Sequence, residues 1–183
     1  MKSALPVLGL TFLAASANAA EPAKLAYNRI GLEISESHQT VNSESSVNTV
    51  SLSVLLGESN FLATASSDEY FAIFGLGYLF RDVAFSTDVV ISLSSAARYG
   101  TTRDTLYGIQ LRRALPEIHD SLEALVSYAI SHGTDGGSSE DTFRAELAYN
   151  FDARYQLAVG MVETDAHVAG GQSYLTVTAR YNF

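Results

Sequence analysis

Two short segments carry the residue types that hydrolytic enzymes use. Asp165 and His167 are two positions apart, so an extended chain would place both side chains on one face, where the acid could orient an imidazole base. Ser131 and His132 are adjacent, and adjacent strand residues point to opposite faces, which spoils a serine–histidine dyad. The remaining histidines have no recognisable partner: His38 and His119. We therefore expect no catalytic residues in this chain.

The composition excludes further kinds of site. The 183 residues include no cysteine, which rules out disulfides, thiolate zinc sites, iron–sulfur clusters and a cysteine nucleophile. The acidic segment 135–141 lacks the alternating ligands of a calcium loop, and no glycine motif that cradles phosphate occurs. An excess of 20 Asp and Glu over 11 Lys and Arg argues against nucleic-acid binding. We expect neither a cofactor nor a metal.

Apolar residues recur at every second position, which is the period of a β-strand. In the last segment Leu175, Val177 and Ala179 share one face, while Thr176 and Arg180 lie on the other. Ten such segments occur, and most have the 9–11 residues that a tilted strand needs to cross a bilayer. If the weak third segment and the first were not strands, the count would be eight. The segments are about 25–35, 47–57, 60–67, 70–81, 83–94, 105–115, 121–131, 142–151, 154–164 and 173–183.

The connections alternate between two kinds. Tight ones are expected at 57–60, 81–82, 115–120 and 152–154, and mostly longer ones at 36–46, 95–104, 132–141 and 165–172, with 66–69 as the short member. Aromatic residues fall into two bands at the strand ends. Tyr27, Phe61 and others lie at the tight-turn end, and Tyr174 and others lie at the long-loop end. This pattern predicts an all-β fold, a single closed antiparallel transmembrane β-barrel of ten strands, with eight as the alternative.

Charged residues on the polar face of the strands would point into the lumen of such a barrel. Four bases and four acids occupy these positions, so they can pair there instead of lying in hydrocarbon, where a midplane arginine costs about 2–4 kcal/mol. This predicted charge network consists of Arg29, Glu33, Asp88, Arg112, Glu123, Arg144, Glu146 and Arg180.

Residues 1–19 have the pattern of a secretory signal peptide. Lys2 supplies the positive start, an apolar stretch follows, and the sequence Ala17-Asn18-Ala19 provides a small-x-small cleavage site. We expect residues 20–183 to form the mature barrel.

The last strand, 173–183, alternates throughout and ends on Phe183. With the signal peptide and the even strand count, it resembles the small outer-membrane β-barrel proteins of Gram-negative bacteria, the OmpA/OmpX-like and opacity-type group. The resemblance implies location in the cell outer membrane and contact with its lipid and lipopolysaccharide. It also implies a monomer, and recognition of Tyr181 and Phe183 by the barrel-assembly machinery as an insertion signal.

Three functions remain open. The favoured one is a structural or surface-interaction role without catalysis, because side chains largely fill the interior of a barrel of eight to ten strands. The alternative is a narrow pore or a small hydrophobic-ligand transporter. It draws on apolar residues at apparently inward positions, among them Phe71, Ile73 and Leu79, although a β-bulge that flips the register is the favoured explanation for these. An omptin-like or lipid-modifying enzyme is the least favoured, since the rest of its constellation is missing.

Overall fold

The computed structural model describes residues 25–37, 46–98, 103–133, 139–166 and 170–183. Across these ranges ten strands form one sheet, each antiparallel to its neighbours in the chain, and β1 pairs with β10 to close a barrel. The strands are β1 Arg29–Ser37, β2 Ser46–Leu55, β3 Phe61–Ser67, β4 Phe71–Ala84, β5 Thr87–Arg98, β6 Arg103–Ala114, β7 Leu122–Gly133, β8 Glu140–Asn150, β9 Tyr155–Ala166 and β10 Gly170–Asn182. Nowhere in the described ranges is there a helix long and apolar enough to span a bilayer.

The two segments in doubt, β1 and β3, are both genuine strands. β3 is hydrogen-bonded to β2 and to β4, and β1 pairs along its whole length with β10. The ten-stranded prediction is therefore confirmed and the eight-stranded alternative is wrong. Closure pairs the first strand with the last, so that each of the ten strands has a hydrogen-bonded neighbour on both sides.

The outer face of the barrel is apolar over most of its height. Alternate side chains on each strand point away from the interior, and Leu32, Val159 and Val177 are each exposed by half or slightly more. Nothing in the described ranges covers this surface, because the residues between these side chains on each strand point inward. A solvent other than water, or a partner, is needed to cover it.

Aromatic rings cluster at the end of the barrel that carries the connections β2–β3, β4–β5, β6–β7 and β8–β9, here called the turn end. On neighbouring strands Phe61 and Tyr78 meet edge to face with centroids 5.2 Å apart, and Tyr155 and Tyr181 lie 5.5 Å apart. The prediction for Tyr27 was wrong, because this ring is buried inside the barrel.

The opposite end, here called the loop end, is less distinct in loop length than the sequence pattern suggested. Its connections run from three to eight residues, against two to seven at the turn end. The polar residues expected in long loops instead continue the strands, so that β5 extends to Arg98 and β10 begins at Gly170. Serine and threonine pair as well as apolar residues once the ladder beside them is in place.

The connection between β4 and β5 also departs from the prediction of a turn at Arg81 and Asp82. β4 continues to Ala84 through a β-bulge after Phe80, and the turn falls on Phe85 and Ser86. Both turn residues have positive φ, 51° and 54°, as a two-residue type I′ hairpin requires. Neither is the glycine or asparagine that normally marks such a turn, so residue preference does not predict a turn here.

Inward-facing glycines occupy places where the small inner circumference leaves no room for a side chain. A Cβ on Gly160 would lie 2.5 Å from the carbonyl oxygen of Ala145 and 2.7 Å from Cγ of Glu146. A Cβ on Gly75 would lie 2.1 Å from Oγ of Ser94 on the next strand. These glycines allow larger polar side chains beside them to fill the lumen.

Candidate functional site in the barrel lumen

Residues 25–28, which precede β1, fold back into the turn end of the lumen and are called the N-terminal plug here. Tyr27 is 3% exposed, and its hydroxyl donates a hydrogen bond to Oδ2 of Asp88 at 2.8 Å. Burial raises the pKa of the Tyr27 hydroxyl, which therefore stays protonated as the donor. Arg112 covers the Tyr27 ring, 4.4 Å from its centroid, and donates to the carbonyl of Ala26 at 2.8 Å.

Asn28 fixes the plug to the strands on either side of it. Its side-chain oxygen accepts a hydrogen bond from the Leu55 amide at 2.7 Å, and its carbonyl accepts one from the Phe183 amide at 3.0 Å. The plug is therefore tied to both β2 and the end of the chain, and it lies in the turn end of the lumen as part of the fold.

An apolar cluster on strands β2 to β5 packs against the plug. Tyr27, Leu62, Leu79 and Val90 are all buried, with Leu25 and Leu55 beside them. The favoured explanation of inward apolar residues by a register flip was wrong. The bulge lies beyond Phe80, and the alternation that places Leu79 inside holds along β4 before it. Leu62, Leu79 and Val90 are inside because they pack against the plug, whereas Phe71 lines a cavity at the other end of the lumen.

A chain of polar side chains crosses the lumen along strands β6 to β10 and β1. It starts at Arg112 on β6. Its Nε donates to Oε1 of Glu123 at 2.7 Å, and both side chains are almost fully buried. The other oxygen of Glu123 accepts from Nε2 of Gln156 at 3.0 Å, and Gln156 also donates to Asn150 at 2.8 Å. Gln156 therefore links the first ion pair to the next arginine, Arg180, whose Nη1 donates to its amide oxygen at 2.9 Å.

The chain continues from Arg180 toward the loop end through three more charged residues. Arg180 forms a short ion pair with Glu146, which also accepts from Arg144 at 2.7 Å. Arg144 then donates to both oxygens of Glu33, at 2.5 and 2.9 Å, and Thr178 donates to Glu33 at 3.0 Å. The whole set is called the lumen network: Glu33, Arg112, Glu123, Arg144, Glu146, Gln156 and Arg180. Gln156 was not among the residues singled out from the sequence, since an uncharged amide gives no signal there.

Two of the eight predicted lumen charges lie in the interior outside this network. Asp88 accepts from Tyr27 and from the Asp82 amide at 2.8 Å. Arg29 forms no ion pair among the described residues, and its Nη1 is a buried donor without a hydrogen-bond partner there. The structure therefore brings six of the eight residues together and leaves Arg29 and Asp88 apart.

Above the network, in the loop-end half of the lumen, lies a cavity of about 440 Å³, called the loop-end cavity here. Its floor is the ion pair between Glu33 and Arg144, and Arg144 retains 28% side-chain exposure. Tyr174, predicted as an interface ring, faces this cavity instead. The other described lining residues are Ser35, Val47, Thr49, Asp68, Tyr70, Phe71, Val162, Thr164 and Gln172.

The residues considered for catalysis are not assembled into a site in the described part of the chain. His132 is exposed and its ring lies beside Tyr107, whereas His119 accepts a hydrogen bond from the Ser121 amide at 3.1 Å within a turn. No cluster of three or more potential metal ligands occurs among the described residues. His38, His167 and the predicted signal peptide, 1–19, lie outside the described residues.

The two residues of the predicted insertion signal lie at the turn end. Tyr181 and Phe183 are on the outer face, 38% and 57% exposed. They stand beside the point where the first and last strands close the barrel, with Tyr181 opposite Ile30.

No protein-family model matches the sequence, and no curated protein matches it. Among solved structures, the fold is similar to that of the KdgM porin in complex with disordered oligogalacturonate, at TM-score 0.52 and 9% identity, over 85% of this chain and 99% of that one. A second KdgM porin structure, at TM-score 0.47 and 10% identity, covers the same shares. The outer membrane channel DcaP of Acinetobacter baumannii reaches TM-score 0.43 and 14% identity, over 87% of this chain and 60% of that one. The first similarity shows a shared β-barrel fold.

Proposed function

We propose that the chain is an outer-membrane β-barrel whose lumen is closed by its own side chains, and that it acts through its loop-end surface without catalysis. The apolar outer face supports the membrane location, because Leu32, Val159 and Val177 would otherwise each expose about half of the side chain to water. The N-terminal pattern of 1–19 supports export, and the barrel fold shared with a porin supports the same location. Lipid and lipopolysaccharide would then be its surroundings, and the barrel-assembly machinery its route of insertion.

The observation that carries the closed lumen is the meeting of the plug and the network at Arg112. Below this point Tyr27, Leu62 and Leu79 fill the lumen, and above it the polar chain runs from Glu123 to Glu33 across five strands. Water and ions would have to break several charge-assisted hydrogen bonds to pass, and a buried charge left without its partner costs about 3–5 kcal/mol.

A narrow pore is the second candidate. It is favoured by the loop-end cavity, which already extends through the upper part of the lumen down to Arg144, and by the porin with the same fold. In that case the plug or the network would move to open a path.

The proposed function can be tested with mature protein refolded into lipid vesicles. We expect insertion, detected as a gel band that shifts on boiling because a closed barrel resists detergent. We also expect no efflux of entrapped potassium ions beyond that of protein-free vesicles. Full solubility without detergent together with an unchanged gel band would overturn the membrane location. Rapid efflux from vesicles that contain inserted wild-type protein would overturn the closed lumen and favour the pore.

A further inference from the structure

We propose that the loop-end cavity binds a neutral sugar of one or two rings. This inference rests on the proposed function, since the cavity would then open toward the outside of the cell. Its volume of about 440 Å³ lies within the usual range of small-molecule sites, roughly 300–1,000 Å³. The class of ligand follows from the charges and the neutral groups that line the cavity.

The one cation among the described lining residues is already paired. Arg144 directs Nη1 and Nη2 to Glu33 and a further bond from Nη1 to Glu146. An anionic ligand could reach Arg144 only by displacing Glu33 and Glu146. These two carboxylates would also repel the anionic ligand. The floor of the cavity is therefore poorly suited to a negatively charged ligand.

The two carboxylates of the lining are engaged as well. Glu33 accepts hydrogen bonds from Arg144, Thr178 and Ser35. Asp68 accepts the Tyr70 and Phe71 amides with one oxygen, at 2.6 and 2.7 Å, which holds the β3–β4 connection. A cationic ligand would be repelled by Arg144, which lies at the floor of the cavity. Neither sign of charge is favoured, and a neutral ligand loses less hydration on entering.

The remaining lining groups suit a ligand that carries hydroxyls around its edge and C–H groups on its faces. Thr49, Thr164 and Gln172 offer neutral donors and acceptors, and the Tyr174 hydroxyl is bonded to Gln172. Aromatic rings supply apolar faces nearby, with Phe71 from the start of β4. A sugar ring combines these two kinds of surface, since its hydroxyls exchange hydrogen bonds and its C–H face packs on aromatic carbon.

The test is titration calorimetry on the refolded full mature chain in detergent. The probes are the neutral disaccharides maltose, cellobiose, lactose and diacetylchitobiose, with digalacturonate as the anion and choline as the cation. We expect saturable binding of at least one neutral disaccharide and none of digalacturonate or choline. Thr49→Trp, which fills the cavity, should abolish the binding. Asn48→Trp should leave it unchanged, because Asn48 is the adjacent residue on β2 and faces the outside.

Three results would overturn the ligand class, the site or the location of the sugar. Binding of a charged probe in preference to all neutral ones would overturn the ligand class, and no saturable binding of any probe would overturn the site. Unchanged binding in the Thr49→Trp variant, or equal loss in both tryptophan variants, would overturn the assignment of the sugar to the cavity. Each variant is first checked for the boiling-dependent gel shift and for ion efflux, so a failed barrel or an open lumen is recognised separately from a failed sugar site.

Discussion

The guanidinium of Arg112 lies 4.4 Å from the centre of the Tyr27 ring, which is held in the lumen by its hydrogen bond to Asp88. A cation over an aromatic face away from water contributes about 2 kcal/mol or more. The same guanidinium is paired with Glu123, so one side chain connects the N-terminal plug to the lumen network. Movement of the plug and rearrangement of the network are therefore coupled through Arg112.

Replacing Arg112 should cost much more stability than replacing its neighbour. Arg112→Ala leaves Glu123 buried and unpaired, and we expect the free energy of unfolding to fall by about 3–5 kcal/mol. Arg113 forms an exposed pair with Glu117, so Arg113→Ala should change it by no more than about 1 kcal/mol. Urea unfolding of the refolded barrel in detergent measures both values. Equal effects of the two substitutions would show that the buried pair is not part of the closure.

Tyr27→Phe should reveal the buried hydroxyl through its pH dependence. Burial raises the pKa of Tyr27 above its usual value of 10.0, so the folded state holds this proton more tightly than the unfolded state. The contribution of the hydroxyl to stability is present below pH 10 and falls as the pH rises above it. Below pH 10 the variant should be about 1.5–3 kcal/mol less stable because Asp88 loses a hydrogen bond. A stability gap that widens above pH 10 would contradict this arrangement.

Gly160→Ala should disturb the network from the neighbouring strand. Its Cβ would meet the Ala145 carbonyl and the stem of Glu146, and overpacking of this kind costs about 1–3 kcal/mol. Gly57→Ala is the comparison, because nothing lies within 4 Å of its Cβ and only the positive φ of 63° is unfavourable, at about 1–2 kcal/mol. Chemical denaturation checks both, and pairing with Glu146→Ala, which removes the Cγ of Glu146, tests the contact. If Gly160→Ala costs the same with and without that change, the crowding lies elsewhere.

An arginine on the outer face should distinguish a lipid-facing surface from a water-facing one. Val177 lies in the middle of β10, and Val177→Arg should destabilise the barrel in lipid vesicles by about 2–4 kcal/mol. Val83→Arg, at the turn end, should cost about 0–1 kcal/mol because the side chain reaches the interface. Denaturant titration in vesicles provides the measurement. If neither substitution lowers the free energy of unfolding, the outer face meets water and not lipid.

The number of strands and the inward position of the charged residues could be predicted from alternation, because a side chain on a strand has only two faces to occupy. The pairing of those charges could not. Glu33 and Arg144 lie on β1 and β8, and which arginine reaches which carboxylate depends on the register of the intervening strands and on the curvature of the barrel. Gln156, which joins two of the ion pairs, has no sequence signature at all.

The burial of Tyr27 in the plug and the position of the β4–β5 turn could not be predicted from the sequence, for different reasons. Tyr27 stands before the first strand, where alternation no longer tells which way a ring points, and its burial depends on Asp88 and Arg112 far along the chain. The hairpin places Phe85 and Ser86 at positive φ, where twist matching between β4 and β5 outweighs residue preference. Tyr174 lies at the height of an interface ring, but alternation places it on the inner face of β10 with Thr176 and Arg180.

Single-channel recording in planar bilayers tests the closed lumen most directly, with two matched double variants beside the wild type. Arg112→Ser with Glu123→Ser removes the buried pair, whereas Arg113→Ser with Glu117→Ser removes the exposed pair, whose Nη2–Oε1 distance is the same 2.5 Å. We predict no discrete openings from the wild type or from the exposed-pair variant, and openings from the buried-pair variant. Openings of the wild type equal to those of the buried-pair variant would contradict the account.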